Sequence, residues 1–368
     1  MTLILINEFS DTNCPVTKLV YDLGEWVSQD KGQSVVQLNL GTKYRPGGLG
    51  WIRVLSLLIM HLITPYRLFY HRIKCMISKS KMTVIVTTLP PFIHWTTVLF
   101  CKLIQVKVIL WYMDAHPEIE IRKLRSKSFF RLANILSILE RFFIPQFDEI
   151  VTLDEGMAEL LSKSTGVSRS KIRISSPWAT FVSPTTILRQ PVLSKNRPLR
   201  LVYAGNYGQA HDLAPLADML KEIVPLTPIE LVGMGMNNTS AKRFEKNFAD
   251  IGNLTLTVYP RFESVSHLVT ELAKFDLGIV SLNADYLGIA SPSKAFTYIS
   301  QGLPILYIGP QKTLSDSLVK TGYGYNLESF TASLSTQFPV LSKANTHAKD
   351  PKHDSMSVFL EVLNAHES

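Results

Sequence analysis

Short apolar β runs alternate with helical stretches along nearly the whole chain, and the series breaks once and then starts again. Thr2–Ile6, Ser34–Leu38, Thr83–Thr87, Lys107–Tyr112, Glu149–Leu153 and Ile172–Ser175 read as strands, with helices such as Val16–Trp26 and Gly156–Ser162 between them. Thr185–Pro198 has no apolar periodicity and reads as a linker. Beyond it, Leu199–Ala204, Ile229–Val232, Leu254–Val258 and Leu277–Ser281 read as strands. Leu213–Val224, Ala241–Asn247 and Val265–Lys274 read as helices. Such alternation predicts a parallel sheet covered by helices on both faces. Because the alternation occurs twice, the expected fold is α/β, two doubly wound Rossmann-like domains. The expected boundaries are residues 1–184, a linker over 185–198, 199–345, and a tail with a closing helix over 346–368. A length of 368 residues suits two domains of ordinary size. Ligands in sheets of this kind collect at the carboxyl ends of the strands.

One stretch carries a chemical signal. Ser291 to Gly309 reads as a turn, a helix, a glycine stop at Gly302 and a buried strand, Ile305–Ile308. Pro292 suits a first helical turn, and Ser291 and Ser293 are candidate caps. A helix that starts with serines and Lys294 brings free N–H groups, the positive end of a dipole and a cation to one point, which suits a phosphate. The bland alternative is an ordinary capped helix with a solvated lysine.

The charge is uneven. Residues 1–190 hold 23 Lys and Arg against 14 Asp and Glu, a net of +9, whereas residues 191–368 hold 15 against 16, a net of −1. The excess predicts that the first half meets an anionic surface. It concentrates in two basic, aromatic-bearing segments, Trp51–Ser78, which has no acid, and Ile119–Phe147. In the first, His61 and Pro65 interrupt and Arg53 and Arg67 bound only a short apolar run, so a membrane-spanning helix is not expected. Docking on anionic lipid at the inner face of a membrane is the expectation; amphipathic core helices with solvated basic faces are the alternative. No nucleic-acid module is recognisable. Cys14, Cys75 and Cys101 fit neither a disulfide framework nor a zinc pattern, and MTLILINEF carries no charged leader, so a cytoplasmic setting is expected.

LVYAGNYG, LVGMG, VYPRFESVSHLVTELAKFDLGIVSL and SPSKAFTYISQGLPIL, taken in order, resemble the GT-B-type glycosyltransferases, within them the retaining family 4 of bacterial surface-polysaccharide synthesis. WYMDAHPE, FDEIVTLDEGMAELL and ISSPWA resemble the acceptor domain of the same enzymes. The resemblance implies a nucleotide sugar held mainly by the second domain, a saccharide or lipid-linked acceptor held by the first, and two domains facing across a cleft. It also implies that no metal is needed, because N–H dipoles and cations neutralise the leaving diphosphate.

Under that resemblance Lys294 and the Ser293 amide are the candidates to stabilise the leaving group, and Arg261 is a second cation. Gly205 and Gly208, flanking Asn206 and Tyr207, would let backbone approach the phosphates. Asp114 and His116, at the carboxyl end of a strand, could hold an acceptor hydroxyl or the donor sugar. The family's two glutamates, eight positions apart, correspond to Ile289 and Thr297, so the ribose would meet a threonine hydroxyl. The family's arginine–lysine pair after the first strand of this domain is absent, since GNYGQAHDL offers only His211. The usual glycine-rich loop of the first domain is replaced by Asp11-Thr12-Asn13-Cys14-Pro15. These departures leave a non-catalytic partner of an active transferase as the rival reading, with a sugar-nucleotide 2-epimerase behind it. A Rossmann dehydrogenase is weakest, because no strand precedes a full G-x-G-x-x-G.

Overall fold

In a computed structural model of the chain, residues 1–10, 14–39, 50–123, 127–177, 188–191, 197–225, 227–260, 265–336 and 351–364 are described. They form two compact units. The first comprises Met1–Thr180, Gly288–Ala290 and Lys352–Ser368; the second comprises Phe181–Leu287 and Ser291–Pro351.

The first unit runs β1 (Thr2–Ile6), α1 (Pro15–Lys31), β2 (Ser34–Leu38), α2 (Gly50–Ile77), β3 (Met82–Thr87), α3 (Ile93–Leu103), β4 (Lys107–Tyr112), α4 (Glu118–Lys123), α5 (Lys127–Phe143), β5 (Glu149–Thr152), α6 (Glu155–Thr165) and β6 (Ile172–Ile174). The second runs β7 (Leu199–Ala204), α7 (Ala214–Ile223), β8 (Ile229–Met236), α8 (Asn238–Phe248), β9 (Thr255–Pro260), α9 (Val265–Leu272), β10 (Leu277–Ser281), α10 (Lys294–Ser300), β11 (Ile305–Ile308), α11 (Leu314–Lys320), β12 (Gly324–Asn326) and α12 (Leu327–Thr336). The last helix, α13 (Pro351–Asn364), returns to the first unit. Each unit is built on a six-stranded sheet, ordered β2-β1-β3-β4-β5-β6 and β12-β11-β10-β7-β8-β9, with every pair parallel. Strand order therefore reverses between β1 and β3 in one sheet and between β7 and β10 in the other. At those points the flanking crossovers diverge and leave a crevice.

Several local outcomes depart from the sequence expectation. α2 continues through His61 and Pro65. Met60, Thr64 and Leu68, on both sides of the proline, are buried, so packing holds the helix where one backbone hydrogen bond is lost. β8 carries on through Gly233 and Gly235 to Met236, because Ala204 of β7 pairs with Met234 and Pro260 of β9 with Met236. The weakly patterned stretch after Ser329 contains the end of a helix, α12, whose Phe330 is buried in the second unit's core. The closing helix starts at Pro351. It is tied to the first unit by Lys107 Nζ donating to the Val362 carbonyl (2.5 Å), Ser175 Oγ donating to the Ser355 carbonyl (2.7 Å), and Phe359 packed edge-on to Trp111 (4.6 Å). Most of the Thr185–Pro198 linker, Asp11–Asn13 and residues 40–49 lie outside the described residues. Arg189 lies within them. Its guanidinium donates to the carbonyls of Leu272 (3.3 Å) and Gln301 (3.2 Å), and also to that of Ala273, and so ties together the ends of α9 and α10.

Candidate functional site

The serine–lysine turn is built differently from a capped helix. α10 begins at Lys294, so Pro292 lies outside the first turn, and Ser293 occupies the cap position without a side-chain hydrogen bond to the helix. Seven residues give a weak dipole, and the chemistry moves to the side chain of Lys294. Tyr298, one turn on, fixes its place. The Tyr298 hydroxyl accepts from the Ala204 amide at the end of β7 (2.7 Å), and its ring lies flat on Gly278 of β10. A Cβ at Gly278 would stand 2.4 Å from the ring, so only glycine lets α10 sit this close to the sheet.

Lys294 Nζ is buried, has no hydrogen-bond partner, and lies 3.7 Å from the centroid of the Tyr203 ring. Burial pulls its pKa from 10.5 down to about 7. Ser291 Oγ is likewise buried without a hydrogen-bond partner, and Ser281 Oγ, buried at the end of β10, lies against the Tyr203 hydroxyl. His211 packs edge-on to Tyr203 (5.8 Å), and its Nδ1 donates to the Ser281 carbonyl (2.7 Å). Burial first, and then the charge on Lys294, pull the imidazole pKa to about 3 against the opposing Ser281 carbonyl, with Arg243 adding to the depression. Arg243, on α8, lies 4.8 Å over the Tyr207 ring. Strand order reverses between β7 and β10, so these groups surround the crevice of the second sheet. The loop after β7 is stitched across it by Asn283 N–H donating to the Ala210 carbonyl (2.8 Å). A dry cation with no hydrogen-bond partner is an arrangement that an incoming anion completes.

The other residues singled out in this loop divide. Gly205 adopts φ +99°, which only glycine holds comfortably, and a Cβ there or at Gly208 would meet open space. The Gly205 amide already donates to Met234 (2.7 Å), and Asn206 Oδ1 accepts from the Asn237 amide (3.0 Å), so Asn206 clamps two loops together. Tyr207 is turned into the apolar core, and its hydroxyl accepts from the Leu213 amide at the start of α7 (3.2 Å). It supports the site from beneath. Thr297 is half-buried on α10, and Ile289 is buried. Arg261 lies outside the described residues. Ser281 was hidden from pattern reasoning, since the last residue of a strand carries no signal until a loop folds back onto it, and His211 was noted only as standing where the family's basic pair is absent. Arg243, on the helix read over Ala241–Asn247, was not singled out by the sequence.

In the first unit Asp114 and His116 lie where expected, just beyond β4. The Asp114 amide donates to Thr88 Oγ1 (3.1 Å), and the His116 amide to the Asp114 carbonyl (3.1 Å). His116 is buried against Phe92, with ring centroids 6.2 Å apart. The same unit carries a broad apolar face. On α2, Leu58, Leu62, Tyr66, Phe69, Ile73 and Ile77 are exposed, Leu62 to 77% and Ile77 to 78%. Leu99 and Leu103 on α3, and Ile135, Ile138 and Phe142 on α5, are exposed as well. α3 joins the other two helices. His61 on α2 is bonded to Thr96 (2.6 Å), buried His94 pairs with Glu140 on α5 (3.0 Å), and Trp95 stacks on Phe143 (5.6 Å). Among the described residues, no helix is long and apolar enough to cross a membrane. The side chains of Arg122, Lys123 and Lys127, and the whole of Arg125, lie outside the described set.

Compared with known proteins, the chain matches no family's sequence profile and no curated protein sequence. Solved structures do match. A lipopolysaccharide outer core galactosyltransferase, WaaB, superposes with a TM-score of 0.60 at 11% identity, over 99% of both chains. HepE of Anabaena in complex with UDP gives 0.60 at 10% identity, over 99% of this chain and 100% of the other. The sucrose-phosphate synthase of Thermosynechococcus elongatus gives 0.54 at 12%, over 99% and 96%. The chain has the GT-B fold. In GT-B terms the Lys294 crevice belongs to the second of the two Rossmann-like units, and Asp114 and His116 to the first.

Proposed function

We propose that this protein is a glycosyltransferase that moves a sugar from a nucleotide-sugar donor to a lipid-linked saccharide in surface-polysaccharide or glycoconjugate synthesis, with retention at the anomeric carbon. The observation that carries this reading is Lys294 Nζ, dry and without a partner at the point where strand order reverses. Burying a cation alone is costly, and a site that does so is completed by an anion. The solved HepE structures with UDP and with UDP-glucose, and the galactosyltransferase WaaB, support a nucleotide sugar as that anion. In the step proposed, an acceptor hydroxyl oxygen bonds to the anomeric carbon as the carbon–phosphate-oxygen bond breaks. The nucleoside diphosphate leaves with the electron pair, and the hydroxyl proton passes to its departing oxygen. Lys294 meets the charge that develops there, in place of a metal ion, with the hydroxyls of Ser281 and Ser291 as further donors. Asp114 and His116 hold sugar hydroxyls at the end of β4.

The apolar face of α2, α3 and α5 supports docking on a membrane that carries the acceptor. Core helices bury their apolar stripe, whereas this one exposes leucine, isoleucine, tyrosine and phenylalanine beside Arg67, Arg72 and Lys74 on an acid-free helix. The deciding assay presents radiolabelled UDP-, GDP- and dTDP-sugars with anionic vesicles containing polyprenyl-linked saccharides and follows label into the lipid phase. Transfer that drops at least a hundredfold in Lys294→Ala is the expected outcome. Donor binding without any transfer would favour a non-catalytic GT-B protein.

A further inference from the structure

Resting on the nucleotide-sugar reading, we propose that His211 is a recognition residue of the donor site, whose Nε2 accepts a hydrogen bond from a hydroxyl of the bound nucleotide sugar. The Ser281 carbonyl can only accept, so the 2.7 Å contact puts the imidazole proton on Nδ1. Burial between the cations Lys294 and Arg243 keeps the ring neutral. Tyr203, against whose ring His211 packs, and Tyr207 and Tyr298 next to it are neutral phenols whose pKa burial raises. Nε2 is therefore left as a bare lone pair, and no described residue donates to it.

The surroundings say what should donate. The histidine shares the Tyr203 ring with the unpartnered ammonium of Lys294, so its lone pair stands beside the place where the diphosphate lands. A carboxylate acceptor there would repel that ligand, whereas a neutral nitrogen accepts a hydrogen bond without adding negative charge. A ligand that brings anionic oxygens and hydroxyl hydrogens within a few ångströms of each other is a nucleotide sugar, through its ribose or its hexose. The loop is held for this purpose. Asn283 N–H reaches the Ala210 carbonyl (2.8 Å), and His211 N–H reaches the Gly208 carbonyl (3.2 Å), fixing the ring before any ligand arrives. His211 thus stands in the loop after β7 with a neutral acceptor nitrogen, and its chemistry is recognition rather than charge.

The test is a calorimetric titration of wild type, His211→Leu and His211→Gln with UDP-glucose, UDP and inorganic pyrophosphate, with folding of each variant checked by thermal unfolding. GDP-mannose and dTDP-glucose are used if UDP-glucose does not bind. His211→Leu should weaken the nucleotide sugar about tenfold and leave pyrophosphate, which has no sugar hydroxyl, unchanged. His211→Gln, whose amide nitrogen can donate to Ser281 while its oxygen accepts, should recover most of the loss. A loss seen with UDP-glucose but not UDP places the hydroxyl on the hexose; an equal loss with both places it on the ribose. Pyrophosphate weakened by the same factor, or no effect on any ligand, overturns the assignment even where Lys294→Ala confirms the donor site. Failure of every nucleotide to bind wild type removes the donor reading and this inference together.

Discussion

Donor binding should be coupled to uptake of a proton by Lys294. In the free protein the ammonium is buried and unpartnered, with a pKa of about 7. A diphosphate beside it favours the charged form and returns the pKa toward the ordinary 10.5. The bound value lies above the free one, so the affinity is complete below pH 7 and is lost as pH rises through that value. The protonated fraction falls from about 0.9 at pH 6 to about 0.03 at pH 8.5, which predicts about a thirtyfold loss of affinity. Calorimetry with UDP-glucose in buffers of different ionisation enthalpy should report about 0.9 proton taken up per ligand at pH 8. Lys294→Arg, charged at every pH, should bind with no uptake. The same burial destabilises the empty protein. Holding this lysine at a pKa about 3.5 below its unfolded value costs at most about 4 kcal/mol at pH 7. Lys294→Met should therefore raise the unfolding temperature while abolishing donor binding. Affinity that stays flat between pH 6 and 8.5, with no proton uptake, would refute the reasoning.

Three further outcomes are expected. Leu62→Glu with Ile77→Glu, both on the exposed face of α2, should weaken sedimentation with phosphatidylglycerol vesicles at least tenfold, and undiminished binding would exclude this face as the membrane contact. If Lys294 supplies the neutralising charge as proposed, prolonged treatment with EDTA should leave transferase activity unchanged; activity restored only by added divalent cation would contradict that role. Gly278→Ala should push Tyr298 and α10 off the sheet, costing about 1–3 kcal/mol of stability. It should also weaken nucleotide binding without touching the ligand, and a structure of the variant with α10 unmoved would count against this positioning.

Much of the architecture was legible as pattern. The two series of strands follow from apolar runs at a spacing that only covered parallel sheets satisfy, and ten of them, from Thr2–Ile6 to Leu277–Ser281, lie within a few residues of where they were read. Misreadings came where packing overrides local preference. Pro65 sits inside α2 because residues on both sides are buried, and Gly233 and Gly235 stay in β8 because strands lie on both sides. Lys294 could be named as a candidate from the SPSK turn alone, and Thr297 only through the family resemblance, but whether that lysine was solvated or dry could not be read.

What the amino-acid order determined by itself is the alternation, hence two parallel α/β sheets, and the presence of a lysine at a helix start between the tenth and eleventh strands. What only the tertiary structure decided is the state of that lysine and the company it keeps. Its burial depends on Tyr298 lying against Gly278, and His211 becomes a neutral acceptor because the loop after β7 folds onto Ser281. Ionisation energies depend on solvation and on neighbours remote in sequence, His211 and Ser281 being 70 positions apart, and no periodicity in the chain encodes either.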